Sequence, residues 1–105
     1  LRALAVTSPQ PSPLVPGLVT VAASGLPGYD AESLYAMFAP AGTPPAIIAR
    51  LNQEAVKYLS MPETKERFLN AGLEAAGSTP DQLVAIIKAD MAKWGKLIKE
   101  AGIRE

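Results

Sequence analysis

A single long helix is the strongest constraint that this sequence places on its fold. Thr79 is followed by Pro80 and then by Gln82, which is the arrangement of a capping box with proline at the first helical position. Apolar side chains then recur at helical spacing as far as Gly102, a residue type that commonly ends helices. The pattern predicts a helix from Pro80 to Ala101, about 33 Å long.

The two faces of this helix differ in character. The apolar stripe is interrupted at Asp90 alone, and we interpret it as core packing, with pairing to a partner helix as the alternative. The lysines are assigned to a solvated face, with a basic binding patch as the alternative. These lysines are Lys88, Lys93, Lys96 and Lys99.

Two further helices are predicted upstream. One runs from about residue 44 to residue 60, with Thr43 expected as its N-cap residue. The other begins at Pro62 and ends before Gly72. The N-termini at Thr43 and Thr79 could attract an anion, but capping alone explains both threonines.

The remaining segments read as strands and loops. Short strands are predicted at residues 4–6, 32–38 and 73–76. Residues 8–17 contain four prolines and form a surface loop, either a linker or a functional loop. Residues 19–24 fit one helical turn. The alternation of strands and helices places the chain in the α/β class.

The composition narrows the classes of function. Ten basic side chains balance ten acidic ones, which argues against a nucleic-acid binder and against a polybasic membrane-surface segment. The sequence holds neither cysteine nor histidine, which removes thiolate chemistry and both the commonest general base and the commonest metal ligand. We therefore predict that the chain is not an enzyme, and we expect neither a metal nor a cofactor.

Residues 29–35 are the most suggestive stretch for a binding site. They combine aromatic, hydroxyl and acidic side chains at a turn-to-strand junction, and ligand sites in open α/β sheets gather at strand ends. The alternative is a simple turn with Tyr35 in the core.

Several motifs together resemble one known family. They occur at residues 26–30, 34–44, 77–80, 94–95 and 101–103, in one order along the chain. This order and spacing closely resemble the C-terminal third of the Bug family, the substrate-binding proteins of tripartite tricarboxylate transporters. The resemblance covers essentially the whole chain.

The resemblance implies a type II periplasmic binding protein fold, in which two lobes close on a ligand like a Venus flytrap. Residues 1–105 would be the C-terminal fragment of such a protein, since Leu1 is not preceded by a methionine or a lead-in. Residues 26–44 would be a segment that crosses between the lobes. The protein would reside in the periplasm and deliver its ligand to the membrane subunits of the transporter.

The resemblance also implies a ligand and a site. The ligand would be a small carboxylate, captured outside the cytoplasm for uptake, with Ala31 and Ser33 offering backbone or hydroxyl groups. The expected ligand-binding residues are Asp30, Ala31, Glu32, Ser33 and Tyr35.

A structural or interaction domain is the competing interpretation. Such a domain would self-associate through its C-terminal helix. Self-association is also expected for a fragment of a receptor, because apolar surface that normally packs on the upstream part would be exposed.

Overall fold

A computed structural model describes residues 1–104 of the chain. Three helices dominate it, and a small sheet precedes them. The strands are β1 (Ala5–Val6) and β2 (Val19–Thr20), and the helices are α1 (Pro45–Leu59), α2 (Pro62–Asn70) and α3 (Pro80–Glu100).

The sheet consists of two short parallel strands. Ala5 pairs with Val19 and Val6 with Thr20, so the strand predicted at residues 4–6 is confirmed. A 3₁₀ turn at Ala22–Ser24 follows β2 directly. Thr20 is buried and its hydroxyl accepts a hydrogen bond from the Ala23 N–H at 3.0 Å. The helical turn predicted at residues 19–24 therefore forms only in its second half.

The start of α1 corrects one detail of the sequence analysis. Pro44 occupies the N-cap position, and no side chain caps the helix there. The Thr43 hydroxyl instead donates to the Pro40 carbonyl at 2.7 Å. The expected N-cap role of Thr43 is wrong, because its hydroxyl closes the preceding turn. That turn contains Gly42 with φ of 82°, a left-handed conformation that suits glycine.

The connection between α1 and α3 depends on close backbone approach. α2 follows α1 and contacts it. Further along, the Asn52 side chain on α1 donates to the Ser78 carbonyl at 2.8 Å. A Cβ atom at Gly77 would lie 3.2 Å from Cγ1 of Val56. Glycine at this position therefore lets the chain pass over α1 before α3 begins.

The capping box of α3 is confirmed. The Thr79 hydroxyl accepts from the Gln82 N–H at 3.1 Å, and the Gln82 side chain accepts from the Thr79 N–H at 2.9 Å. Pro80 holds the first helical position, and the helix ends one residue before the predicted bound. Gly102 follows with φ of 65°. At the N-terminus of α3, two N–H groups are thus satisfied by local side chains.

Two predicted strands are absent from the described residues. Residues 32–38 and 73–76 have no regular secondary structure. A strand needs a neighbour for its backbone hydrogen bonds, and within residues 1–104 the sheet contains only β1 and β2. The apolar composition of residues 32–38 therefore does not produce a strand here. The parallel pairing of β1 and β2 agrees with the predicted α/β class, but helices make up most of the regular structure.

Residues 1–104 bury few side chains. Within residues 1–104, Thr20 and Thr64 are buried and no apolar side chain is. The accessible surface is 8786 Å², whereas a compact monomer of this mass exposes about 5,600 Å². The radius of gyration is 16.8 Å, against about 13 Å for a compact domain of this length. Among these residues, no helix combines the length and apolar character needed to cross a bilayer.

Removing the capping hydroxyl should weaken α3. We expect Thr79→Ala to lower stability by about 1 kcal/mol, because one N–H at the helix terminus loses its partner. Thermal unfolding followed by far-UV circular dichroism measures the effect. Thr79→Ser retains the hydroxyl and is the matched control. Equal melting temperatures for the two variants would contradict the assigned role of the cap.

Candidate functional site

The segment predicted to bind ligand begins beside the end of β1. The Ala31 N–H donates to the carbonyl of Thr7, the residue that follows β1, at 2.9 Å. A turn precedes it, in which the Tyr29 N–H donates to the Leu26 carbonyl at 3.0 Å and Gly28 has φ of 81°. The segment therefore lies at the carboxyl end of β1, whereas the sequence placed it at the start of a strand over residues 32–38 that does not form.

Asp30 connects this segment to α3. Its backbone carbonyl accepts a hydrogen bond from the Lys93 ammonium on α3 at 2.8 Å. Its carboxyl oxygen Oδ1 is buried and has no hydrogen-bond partner among residues 1–104. Buried carboxylate oxygens normally have a partner. Asp30 therefore has an acceptor atom that a ligand, water or further chain could satisfy.

The other predicted site residues are more open. Ala31 is half-buried, whereas Glu32, Ser33 and Tyr35 are exposed. Tyr35 has a relative exposure of 80%, which excludes the alternative that placed it in a core formed by the described residues. The structure thus brings Asp30 and Ala31 to the strand end and leaves the next residues on the surface.

The surroundings of Glu32 are acidic. Partial desolvation of its carboxyl, and next the nearby charge of Asp30, raise the pKa of Glu32. The carboxylates of Glu74 and Asp90 act in the same direction, and the Lys93 ammonium opposes them. Three segments of the chain therefore contribute charge to one region, although Glu32 itself stays mostly in solvent.

The proline-containing loop is tied to this region as well. The Ser12 hydroxyl donates to the Glu74 carboxylate at 2.5 Å, across 62 positions of sequence. Residues 73–76, predicted as a strand, thus serve here as a partner for the loop. Residues 8–17 are for this reason more than a free linker.

Two open concave surfaces lie elsewhere on the chain. One runs along α1 and includes Thr43, Arg50 and Pro80. The other lies between α1 and the start of α3 and includes Val56 and Gln82. Neither contains a residue of the segment at 29–35.

The role of Lys93 was not predicted from the sequence. All four lysines of α3 were assigned to a solvated face, but the Lys93 ammonium donates to the Asp30 carbonyl. The sequence does contain one indication of this contact, since Asp90 interrupts the apolar stripe one turn before Lys93. The two side chains form an ion pair at 3.9 Å, so the interruption marks the helix face that turns toward the segment.

A family model matches nearly the whole chain. Residues 1–103 match the tripartite tricarboxylate transporter family receptor model. The chain belongs to this family. The resemblance to Bug proteins is thereby confirmed, and membership of a receptor family agrees with the prediction that the chain is not an enzyme.

Two relatives in sequence show the same relationship. The chain is 39% identical over 101 residues to the UPF0065 protein in the tcbD-tcbE intergenic region of Pseudomonas sp.. This match covers 95% of the chain and 30% of that protein. It is 34% identical over 104 residues to Protein BugT of Bordetella pertussis, with coverage of 99% and 32%. The chain thus spans about a third of the length of these relatives.

A solved structure shares the fold. The structure of R. palustris Rpa4515 with adipate superimposes with a TM-score of 0.79 at 34% sequence identity. The match covers 95% of this chain and 33% of that one. The arrangement of strands and helices described above is therefore that of one third of a protein solved with a dicarboxylate.

The raised pKa of Glu32 predicts a pH-dependent stability. The folded state binds the proton at Glu32 more tightly than the unfolded chain does. The favourable contribution of this group is therefore complete below the unfolded-state pKa and is lost as the pH rises through the folded-state pKa. We expect Glu32→Gln to raise the melting temperature at neutral pH, where the wild-type carboxyl is charged.

The gain should shrink as the pH falls and the wild-type carboxyl becomes protonated. Melting temperatures measured from acidic to neutral pH test this dependence. Glu66→Gln, on the exposed surface of α2, is the matched control. A gain for Glu32→Gln that is independent of pH would contradict the assigned cause.

Proposed function

We propose that the chain is the C-terminal portion of a two-lobed type II periplasmic receptor that binds a small carboxylate for uptake. Its partners would be the membrane subunits of a tripartite tricarboxylate transporter. The observation that carries the proposal is the match of nearly the whole chain to a receptor family, together with a shared fold in a structure solved with adipate.

The backbone of residues 26–44 supports their role as the crossing segment. No helix or strand forms in this range. Gly28 and Gly42 lie near its two ends, with φ of 81° and 82°. Hinges in two-lobed receptors are short stretches that absorb large changes of φ and ψ. An irregular segment with a flexible residue near each end meets this requirement.

The chemistry of residues 30–35 supports their role as ligand contacts. A carboxylate that leaves water needs hydrogen-bond donors to replace its hydration. Ser33 and Tyr35 provide hydroxyl groups in solvent-facing positions, and the peptide N–H groups of the segment add more. The acidic side chains of Asp30 and Glu32 would repel an anion that approaches without such donors, so they restrict how a carboxylate can be oriented.

A second candidate function is self-association through α3. Met91, Leu97 and Ile98 on this helix have relative exposures of 71%, 47% and 47%. An unpaired apolar helix face of this kind suits a second copy as well as the rest of a receptor. Light scattering across a dilution series of the complete gene product tests it, and a monomer at all concentrations would rule it out.

Carboxylate binding can be tested by thermal shift. We expect adipate, or another dicarboxylate of a graded chain-length series, to raise the melting temperature of the complete gene product, because a ligand stabilises the state it binds. The chain of 105 residues should show a smaller shift or none, since it spans about a third of its relatives. If no mono-, di- or tricarboxylate shifts the complete product, the receptor proposal is wrong.

The role of Tyr35 has its own test. Tyr35→Ala in the complete gene product should weaken dicarboxylate binding about tenfold, because one hydrogen bond and one aromatic contact are lost. Isothermal titration calorimetry measures the affinity. Tyr58→Ala, at an exposed tyrosine on α1, is the matched control. Equal losses in the two variants would remove Tyr35 from the site.

A further inference from the structure

One peptide group of the proposed site is held at both of its polar ends. The carbonyl of Asp30 and the N–H of Ala31 belong to the same planar unit. The carbonyl accepts from the Lys93 ammonium at 2.8 Å. The N–H donates to the Thr7 carbonyl at 2.9 Å. The plane of this peptide is therefore fixed between α3 on one side and the end of β1 on the other.

The position of the Lys93 ammonium is itself determined by its neighbours. Asp90 Oδ1, one turn earlier on α3, lies 3.9 Å away. The ring of Trp94 has its centroid 4.9 Å away, a distance at which a cation and an aromatic face attract. The side chain is 42% exposed, so it is partly withdrawn from water. These contacts direct the ammonium toward the Asp30 carbonyl.

Like the Asp90–Lys93 pair, the other ion pairs of the described residues lie within single helices. Arg50 pairs with Glu54 on α1, and Lys96 pairs with Glu100 on α3. Lys96 is 75% exposed at its side chain and its ion pair is 3.8 Å long. Within residues 1–104, Lys93 thus differs from the other paired cations, because it also bonds a segment 63 positions away in sequence.

We infer that Lys93 is a positioning residue of the proposed carboxylate site, and that it fixes the orientation of the Asp30–Ala31 peptide group from which the ligand-contacting residues extend. The inference rests on the proposed function. Rotation of this peptide would redirect the Asp30 side chain and every residue that follows it. Two hydrogen bonds on one amide also polarise each other, so loss of the ammonium weakens the bond to Thr7.

The ammonium has a second, electrostatic consequence for the same segment. It is the positive charge that opposes the carboxylates of Asp30, Glu74 and Asp90 at Glu32. An anionic ligand that approaches this region therefore meets a smaller negative potential than the acidic side chains alone would produce. Removal of the charge should disfavour carboxylate binding even where the backbone stays in place.

The test compares Lys93→Met with Lys96→Met in the complete gene product. Both variants keep most of an unbranched apolar stem and lose one charge on α3, but only the first removes the bond to Asp30. We call the two hydrogen bonds that hold the Asp30–Ala31 peptide group the clamp. Hydrogen exchange of the Ala31 amide, measured without ligand, reports whether the clamp is intact. Titration calorimetry with adipate, or with the dicarboxylate that gives the largest thermal shift, reports the site.

For Lys93→Met we expect about tenfold faster exchange at Ala31 and about tenfold weaker dicarboxylate binding, and for Lys96→Met neither change. Lys93→Arg, which retains a charged donor, should recover both properties at least in part. Far-UV circular dichroism compares the total helix content of each variant with that of the wild type.

Two results would overturn the inference. Unchanged exchange at Ala31 in Lys93→Met would show that the ammonium does not hold the peptide group. Faster exchange with unchanged affinity would show that the clamp does not position the site. A wild-type protein that binds no carboxylate would instead overturn the proposed function, while the exchange measurement would still decide whether the clamp exists.

Discussion

The hydrogen bond between the Ala31 N–H and the Thr7 carbonyl organises much of what surrounds it. It attaches the segment at Asp30 to the end of β1, at 2.9 Å. The strand itself is only two residues long and depends on parallel pairing with β2. α3 then reaches the same point through Lys93. Three distant parts of the chain therefore meet at one peptide group, and the proposed ligand contacts begin there.

The helices could be predicted from sequence almost to the residue, because their signals are local. Thr79 and Gln82 satisfy each other within four positions, and Gly102 follows the last turn of α3. α1 was expected over residues 44–60 and forms at Pro45–Leu59. Thr43 shows the limit of such reasoning. Its residue type suits an N-cap, but the preceding turn offers the Pro40 carbonyl as a competing partner.

Predictions that required a partner elsewhere in the chain were less successful. Residues 32–38 have the composition of a buried strand, yet a strand forms only where a second strand supplies hydrogen bonds. The residue types around Asp30 suggested a site at the start of a strand over residues 32–38, but that strand does not form and the segment lies at the end of β1 instead. The contribution of Lys93 was not predicted, because 63 positions separate it from Asp30 and sequence spacing alone does not show such contacts.

The irregular stretch at residues 34–39 has a consequence for the behaviour of the chain in solution. It contains no charge, proline or glycine, and Tyr35, Met37 and Phe38 have relative exposures of 80%, 70% and 73%. Short apolar segments of this kind, when uncovered, stack between molecules as cross-β assemblies. Glu32 and Pro40 flank the stretch as a charge and a strand breaker. We therefore expect this stretch, which includes Tyr35 of the proposed site, to lower the solubility of the isolated chain.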